Sequence, residues 1–391
     1  MRKKFVHSMN YCFLCIYLFL FSALPIFIYG IGVTPALFNE FTGITGEVDA
    51  VIFDHMPCKH VFLETFGAVN RISEKSVIAT ESGRILNNNG YLIGTSEKAD
   101  AVYNYEQTES LWKLCARCGV DFCYFNLPAK IDDESIVIDK GYWNYCIKDG
   151  EAFINMLENL GVSCFNVRHT LLEKYPDFYT AFYRTDHHWT VQAGLYATKE
   201  MVRFLNNRFG YGMAGEMLDE DKYSQTEYSN VWLGETGRQT SANYIGLDNF
   251  TYFLPRYDTD FTIYSFLNEE VISGSFEKTM VDRVTFDSKK SLYDTRSWHY
   301  SYLPYGSNNR VIVNNTIEDG VNVLLIKDSY SHVVAPFLAQ CCKKVALWDM
   351  REHQDISLME YISENDFDLV TVAYMEGCLS NPVMFEFNEG E

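Results

Sequence analysis

The chain has 391 residues, 47% of them hydrophobic and 16% aromatic, enough to bury a sizeable core in one or two domains. Its formal net charge is −20. That excludes nucleic acid as the natural partner, because phosphate backbones are held by clustered Lys and Arg.

The N-terminus stands apart. Arg2, Lys3 and Lys4 precede an uncharged run from Tyr11 to Leu37 that is rich in Leu, Phe and Ile. A bilayer is crossed by about 20 apolar residues, and a basic flank keeps its own side cytoplasmic. No small-x-small cleavage site follows the run. The sequence therefore predicts a cytoplasmic start over residues 1–9 and an uncleaved, single-pass signal anchor over 10–33, with Pro25 as a tolerable kink. The main domain, 34–391, is expected outside the cell membrane. Of the 11 cysteines, Cys12 and Cys15 fall in the anchor. The odd number left implies no complete disulfide framework. Cys115 and Cys118 form a C-x-x-C without a matching second pair and read as buried thiols rather than a zinc or redox motif.

Val51–Phe53 and Val61–Gly67 read as irregular extended pieces. Val77–Thr80, turns near Gly83 and Asn87–Gly90, and Tyr91–Ile93 read as a hairpin. Glu106–Arg117 has helical character and stops at Gly119. The apolar run Val120–Pro128 then suits a buried parallel strand. Tyr145–Leu160 repeats the helix, Gly161 the stop, and Val162–Val167 the strand. This alternation predicts an α/β layer structure with a mainly parallel sheet.

The stretch Tyr183–Thr190 follows. It places Asp186, His187 and His188 in succession. In an extended segment residues i and i+2 share a face, so Asp186 and His188 are expected to aim at one site and His187 to turn away. A carboxylate that fixes the tautomer of an imidazole is two-thirds of a nucleophilic triad. Thr190 is placed to cap a helix over about 191–209 that ends at Gly210. The same three side chains could ligate zinc, but a closed site draws four ligands, usually from separate segments. His169, His299, His332 and His353 form no ligand-spaced cluster, so neither metal nor cofactor is expected.

From Tyr211 to Asn315 the rhythm is lost. This polar, Tyr-rich stretch reads as a strand- and loop-rich insertion able to wall a cleft, with extended pieces at 249–254 and 261–264. The rhythm resumes with the strand Val321–Lys327, then Asp328-Ser329-Tyr330-Ser331, and a helix over 332–340. Strands at Lys344–Trp348 and Phe367–Tyr374 flank a helix over 356–363, and the acidic tail is expected to be loose. Ser329 lies where a strand ends and a helix begins, the edge at which open parallel sheets bind ligands. The helix's free N–H groups favour a developing oxyanion there. A serine hydroxyl needs a base within hydrogen-bond reach, which His188 can supply. The alternative for Ser329 is a helix cap.

The Thr185-Asp-His-His-Trp-Thr190 run resembles the signature of the bacterial DHHW proteins. These are similar to the periplasmic alginate O-acetyltransferases of the SGNH-hydrolase-like group. Weaker matches run along residues 75–376: Asn89-Gly-Tyr-Leu92, Leu127-Pro-Ala-Lys130, Gly234 with Arg238, Leu347-Trp-Asp-Met-Arg351, and Glu376. The resemblance implies a three-layer α/β/α fold with Asp186 as acid, His188 as base and Ser329 as nucleophile. Candidate oxyanion or substrate contacts are Tyr330, through the N–H that follows Ser329, and Arg238, Trp189 and His187. Lys327-Asp328 departs from the Gly-Thr that the acetyltransferases carry there, and a lost glycine restricts backbone approach. The implied activity is O-acetylation of a cell-envelope or exported polysaccharide through an acetyl-serine. The implied acetyl donor is served by a multi-spanning membrane acyltransferase. Two alternatives stay open: a carbohydrate acetylesterase, with water as acceptor, and a non-catalytic glycan-binding or assembly subunit.

Overall fold

The computed structural model describes residues 59–80, 83–135, 141–266, 268–283, 292–293, 298–304, 309–352 and 356–388. The chain divides into two compact units, Met1–Phe62 and Leu63–Glu391. Val51–Phe53 and the expected anchor lie outside the described residues. Among the described residues no helix is long and apolar enough to cross a membrane.

The first element is a helix, α1 (Lys59–Ile72), where the sequence suggests an extended piece. Its small and polar side is the packed one. The Glu64 carboxylate accepts N–H bonds from Ala242 and Asn243, and a Cβ on Gly67 would come 1.7 Å from Ser241 Oγ. Phe66 and Ile72 face solvent instead, so the apolar pattern does not mark the buried face. Strands β1 (Val77–Thr80), β2 (Gly83–Asn88) and β3 (Tyr91–Gly94) form an antiparallel meander, one strand more than the expected hairpin. Asn89 (φ 50°) and Gly90 (φ 89°) make the tight turn between β2 and β3.

The main sheet is built from the alternating stretches. In chain order come α2 (Ala101–Cys118), β4 (Asp121–Leu127), α3 (Cys146–Leu160), β5 (Ser163–Asn166), α4 (Val167–Lys174) and α5 (Val191–Phe209). A ribbon of β6 (Tyr223–Trp232) and β7 (Asp248–Pro255) encloses α6 (Glu235–Thr240) and α7 (Ala242–Ile245). Then follow β8 (Phe261–Ser265), β9 (Glu270–Gly274), α8 (Phe276–Met280), β10 (Arg310–Asn314), β11 (Asn322–Lys327) and α9 (Ser331–Leu338). The last elements are β12 (Lys344–Trp348), α10 (Leu358–Glu364) and β13 (Leu369–Met375).

Eight strands lie in the order β5-β4-β13-β11-β12-β10-β8-β9. The first five are mutually parallel, and β10, β8 and β9 join antiparallel. The stretch 211–315 therefore has two fates. Its β6–β7 ribbon leaves the sheet, whereas β8, β9 and β10 widen it. The rhythm disappears there because antiparallel neighbours need no crossover helix. Both faces of the parallel part are covered, which is why its strands read as continuous apolar runs. Val323, Leu325, Val345 and Leu347 share a core with α5 and α9. Leu324, Ile326, Val370 and Val372 share one with α2, α3 and α10. The C-terminal tail, expected to be loose, is packed up to Phe387. Phe385 sets its ring against Phe153 and Tyr374, and Met384 and Phe387 are buried beside it.

Candidate active site

The loop between the short turn Phe178–Ala181 and α5 carries Asp186 and His188. Phe182 and Trp189 pair across its base, and the Thr190 N–H donates to Ala181 O at 2.8 Å. Thr190 Oγ1 caps α5 by accepting from the Ala193 N–H at 3.1 Å, and Gly210 (φ 77°) ends it. The loop is not extended as the spacing suggests. Asp186 Oδ1 accepts the His188 N–H at 3.0 Å, a side-chain-to-backbone turn that folds residues 186–188 back on themselves. The two side chains still converge, but His187 does not turn to an opposite face: its ring lies 3.8 Å from that of His188.

Lys130, Asp248, Gly234 and Glu235 clamp this loop. Lys130, buried at the end of β4, donates from Nζ to the carbonyls of Tyr183 (3.0 Å), Arg184 (3.3 Å) and Asp186 (2.5 Å). Asp248 Oδ2 accepts from the Thr185 N–H at 2.7 Å and from its hydroxyl at 2.6 Å. The Gly234 N–H donates to Thr185 Oγ1 at 2.7 Å. The Glu235 N–H, opening α6, donates to Asp186 Oδ2 at 2.8 Å. Gly234 has no room for a side chain, since a Cβ there would meet Asp186 Cβ at 2.4 Å.

Ser329 stands just beyond the carboxyl end of β11, 141 residues along the chain from the base. His188 Nδ1 lies 2.6 Å from Asp186 Oδ1, and His188 Nε2 lies 2.7 Å from Ser329 Oγ. A carboxylate can only accept, so Nδ1 carries the proton and Nε2 is free to accept from the serine hydroxyl. Close packing of α5 on α9 brings the two halves together: a Cβ on Gly194 would strike Val333 Cγ1 at 2.5 Å.

Burial alone would raise the Asp186 carboxyl. The imidazoles of His188 and His187 and the Glu235 N–H outweigh it and hold the carboxyl well below its ordinary range. Burial lowers His188 well below the usual imidazole value despite Asp186. At neutral pH the acid is thus ionised and the base unprotonated, ready to take a proton.

The unusual Lys327-Asp328 pair is tied to neighbouring strands. Lys327 Nζ meets Asp349 Oδ2 at 2.9 Å at the end of β12. Asp328 Oδ2 accepts the Met375 N–H at 2.7 Å at the end of β13, and Oδ1 accepts the Tyr330 N–H at 2.9 Å. That last bond commits the N–H that the sequence offers as an oxyanion donor. Tyr330 is buried, with its hydroxyl donating to His187 O at 2.6 Å. Trp189 is fully buried and donates from its ring to Tyr330 O at 3.2 Å, which makes it a packing residue. His187 is 41% exposed, with Nδ1 3.7 Å from Asp186 Oδ1 and 3.9 Å from Glu235 Oε2, so it lies at the mouth of the site. Arg238 lies in the last turn of α6, and among the described residues no hydrogen bond or ion pair joins its side chain to Asp186, His188 or Ser329. Asp186, His187 and His188 are close enough to share a metal ion. However, Asp186 Oδ1 and both ring nitrogens of His188 are already engaged in the chain to Ser329, so this donor set does not suit one.

Several neighbours have no signature in the sequence. His299, in the turn Trp298–Ser301, donates from Nε2 to Ser329 O at 2.5 Å and stacks on His188 at 3.7 Å and 12°. His332 lies edge-on to His299 at 5.4 Å, and Tyr300 edge-on to His188 at 6.3 Å. No local pattern announces His299. Lys130 and Gly234 do fall in the weaker family matches.

Asp186, His188 and Ser329 are thus linked in line at the carboxyl edge of a mainly parallel α/β sheet. No protein-family model and no curated protein matches the chain. Among solved structures, Bacillus cereus PatB1 bearing a sulfonyl adduct is similar over 78% of this chain and 99% of its own, with 18% identity and a TM-score of 0.61. A DHHW family protein from Eubacterium siraeum DSM 15702 is similar over 80% and 97%, with 17% identity and a TM-score of 0.58. The O-acetyltransferase domain of Pseudomonas putida AlgJ covers 78% of this chain and 92% of its own, at 12% identity and a TM-score of 0.40. The family suggested by residues 185–190 thus also appears among the proteins that share this fold.

Proposed function

We propose that this chain is a serine-dependent O-acetyltransferase that modifies a cell-envelope or exported polysaccharide from the outer side of the cell membrane. The observation that carries the reading is the unbroken chain from Asp186 through His188 to Ser329, with contacts of 2.6 and 2.7 Å. Ser329 Oγ attacks the acetyl carbonyl of the donor as His188 Nε2 takes its proton. The donor's leaving group departs with that proton, and an acetyl-serine remains. A sugar hydroxyl then gives its proton to His188 Nε2 and attacks the acetyl carbon. Ser329 leaves with the proton, and the sugar ester is released. Asp186 stabilises the imidazolium in both halves.

The acetyl group and the glycan come from the resemblance of residues 185–190 and 327–331 to the DHHW and SGNH-like proteins. The apolar run Tyr11–Leu37 and its basic flank support membrane anchoring with the domain outside. A multi-spanning acyltransferase would then bring acetyl across the bilayer.

The test uses the full chain in detergent with p-nitrophenyl acetate, following ester cleavage and acetylation of the Ser329 peptide by mass spectrometry. Acetyl-Ser329 should accumulate, and Ser329→Ala and His188→Ala should abolish it. Arylsulfonyl fluorides, which capture activated nucleophiles, should label the same serine. Glycan acceptors then divide the outcome: acetyl on sugar supports the transferase, acetate alone the esterase. A folded chain that neither cleaves the ester nor acquires either label would leave a glycan-binding subunit as the better reading.

A further inference from the structure

The geometry points to His299 as a positioning residue that fixes the nucleophile's backbone with one hydrogen bond and shields the base from water by stacking on its ring. The inference rests on the Asp186–His188–Ser329 reading and goes beyond it.

Its starting point is a tautomer. Ser329 O can only accept, so the 2.5 Å contact with His299 Nε2 requires a proton on that nitrogen. Nδ1 of the neutral ring is then bare, and it is buried without a hydrogen-bond partner among the described residues. A buried acceptor left unpaired works against folding. Phenylalanine would fill the same space without that penalty, so packing alone does not account for a histidine here. What a histidine adds is the donor. The ring's flat face does the second task, lying 3.7 Å from the His188 ring and 12° from parallel to it. One side chain therefore touches both reacting partners and fixes where the serine stands relative to the imidazole that must deprotonate it.

The surrounding charges suit that role. His188 faces Asp186 and His187 from its own loop, with Glu235 beyond His187. It faces His299 and Tyr300 from the turn 298–301, and Ser329 and Tyr330 from the start of α9. His299 in turn feels Asp186, His187 and Lys327 and has Tyr300 and His332 edge-on beside it. Burial pushes His299 down to about 4, so it remains a neutral donor across the range in which a serine site works.

Two variants separate the tasks. His299→Phe keeps a ring over His188 and removes the donor, whereas His299→Ala removes both. The full chain, labelled in its histidines and held in detergent, is read in two ways: the rate of Ser329 acetylation against pH, and the NMR titration midpoint of His188. The phenylalanine variant should acetylate about tenfold more slowly, the equivalent of one hydrogen bond, with the His188 midpoint rising only slightly through loss of the like charge that a protonated His299 sets beside it. The alanine variant should be slower still. Its His188 midpoint should rise toward the ordinary imidazole value, because water then solvates the charged form. A residue that does not keep water from the His188 ring would leave that midpoint where it is, and only the loss of rate in the phenylalanine variant reports the donor.

Wild-type acetylation rates in both variants, or a wild-type midpoint in the alanine variant, would overturn the proposal. A phenylalanine variant whose midpoint rises as far as alanine's would overturn the shielding role. If the wild-type chain acquires no acetyl-serine, the transferase reading falls, and the His188 titration still decides what His299 does.

Discussion

Replacing Gly234 by alanine adds a single methyl group to the tightest point behind the acid. The backbone there, φ −66° and ψ 176°, is open to any residue, so the effect is purely steric. The new carbon would stand 2.4 Å from Asp186 Cβ, 2.7 Å from Thr185 O and 2.8 Å from Asp186 Cα. Carbon atoms pack at about 3.5–4.0 Å, so the loop or α6 must retreat by about 1 Å, and backbone cannot yield as the tip of a long side chain does. The bonds that tie the two together, from the Glu235 N–H to Asp186 and from the Gly234 N–H to Thr185, lie on that line of retreat. Overpacking costs about 1–3 kcal/mol, and weakening a hydrogen bond to a charged acceptor adds about 1.5–3 kcal/mol. Together these should lower the melting temperature by about 10 °C. Displacing the acid by about 1 Å should slow Ser329 acetylation about 100-fold. Calorimetry and the acetyl-ester assay read the two effects. A melting temperature within about 2 °C of wild type, with acetylation within about twofold, would show that α6 does not hold the acid as described.

Asp186→Asn should leave the fold intact and slow acetylation by about 10⁴-fold, because an amide can present its N–H to His188 and fix the wrong tautomer. Recovery of more than a tenth of the wild-type rate would rule that out. Lys130→Met strips the donor from three loop carbonyls and should destabilise the chain by about 3 kcal/mol or more in denaturant melts. An unchanged midpoint would mean that the loop is held elsewhere. Acid should weaken the fold before the carboxylates titrate. His299 takes up a proton near 6.5 when unfolded but only at about 4 when folded, and His188 and His332 are shifted in the same direction. Their contribution is intact above pH 6.5 and is lost as pH falls toward the folded values. For His299 alone the loss is about 3 kcal/mol between those limits. Urea melts at pH 7, 6 and 5 should show the decline, and His299→Phe should flatten it; parallel slopes in the two proteins would refute this account.

Where local chemistry dictates structure, the sequence is legible to the residue. The helix Val191–Phe209 shows its cap at Thr190 and its stop at Gly210, and both have the geometry their residue types suggest. The strand before Ser329 is equally plain, since a run buried on both faces has no polar alternation to confuse it. Asp186, His188 and Ser329 do come together, but by a route that spacing does not suggest, because the Asp186 carboxylate bends a loop that spacing alone would leave straight. α1 is hidden because its buried side is polar and glycine-bearing. Lys327 and Asp328 look like an interruption of the nucleophile block, and their purpose emerges only once β12 and β13 stand beside β11. His299 could not be read at all: its contact with Ser329 spans 30 residues and follows no periodicity.

The strand order also governs when this site can exist. β13 lies between β4 and β11 and pairs with both, through Leu369 with Asp121 and Val323 with Leu369. The halves of the parallel sheet therefore have no shared strand until Leu369–Met375 has been synthesised. A nascent or truncated chain ending before Leu369 presents β4 and β11 as two open, apolar edges, the kind that recruit other strands. Ser329 follows β11, whereas the His188 loop is tied through Lys130 to the end of β4. Synthesis of β13 is thus a checkpoint on assembly, and termination before Leu369 should produce aggregation rather than a slightly weakened fold.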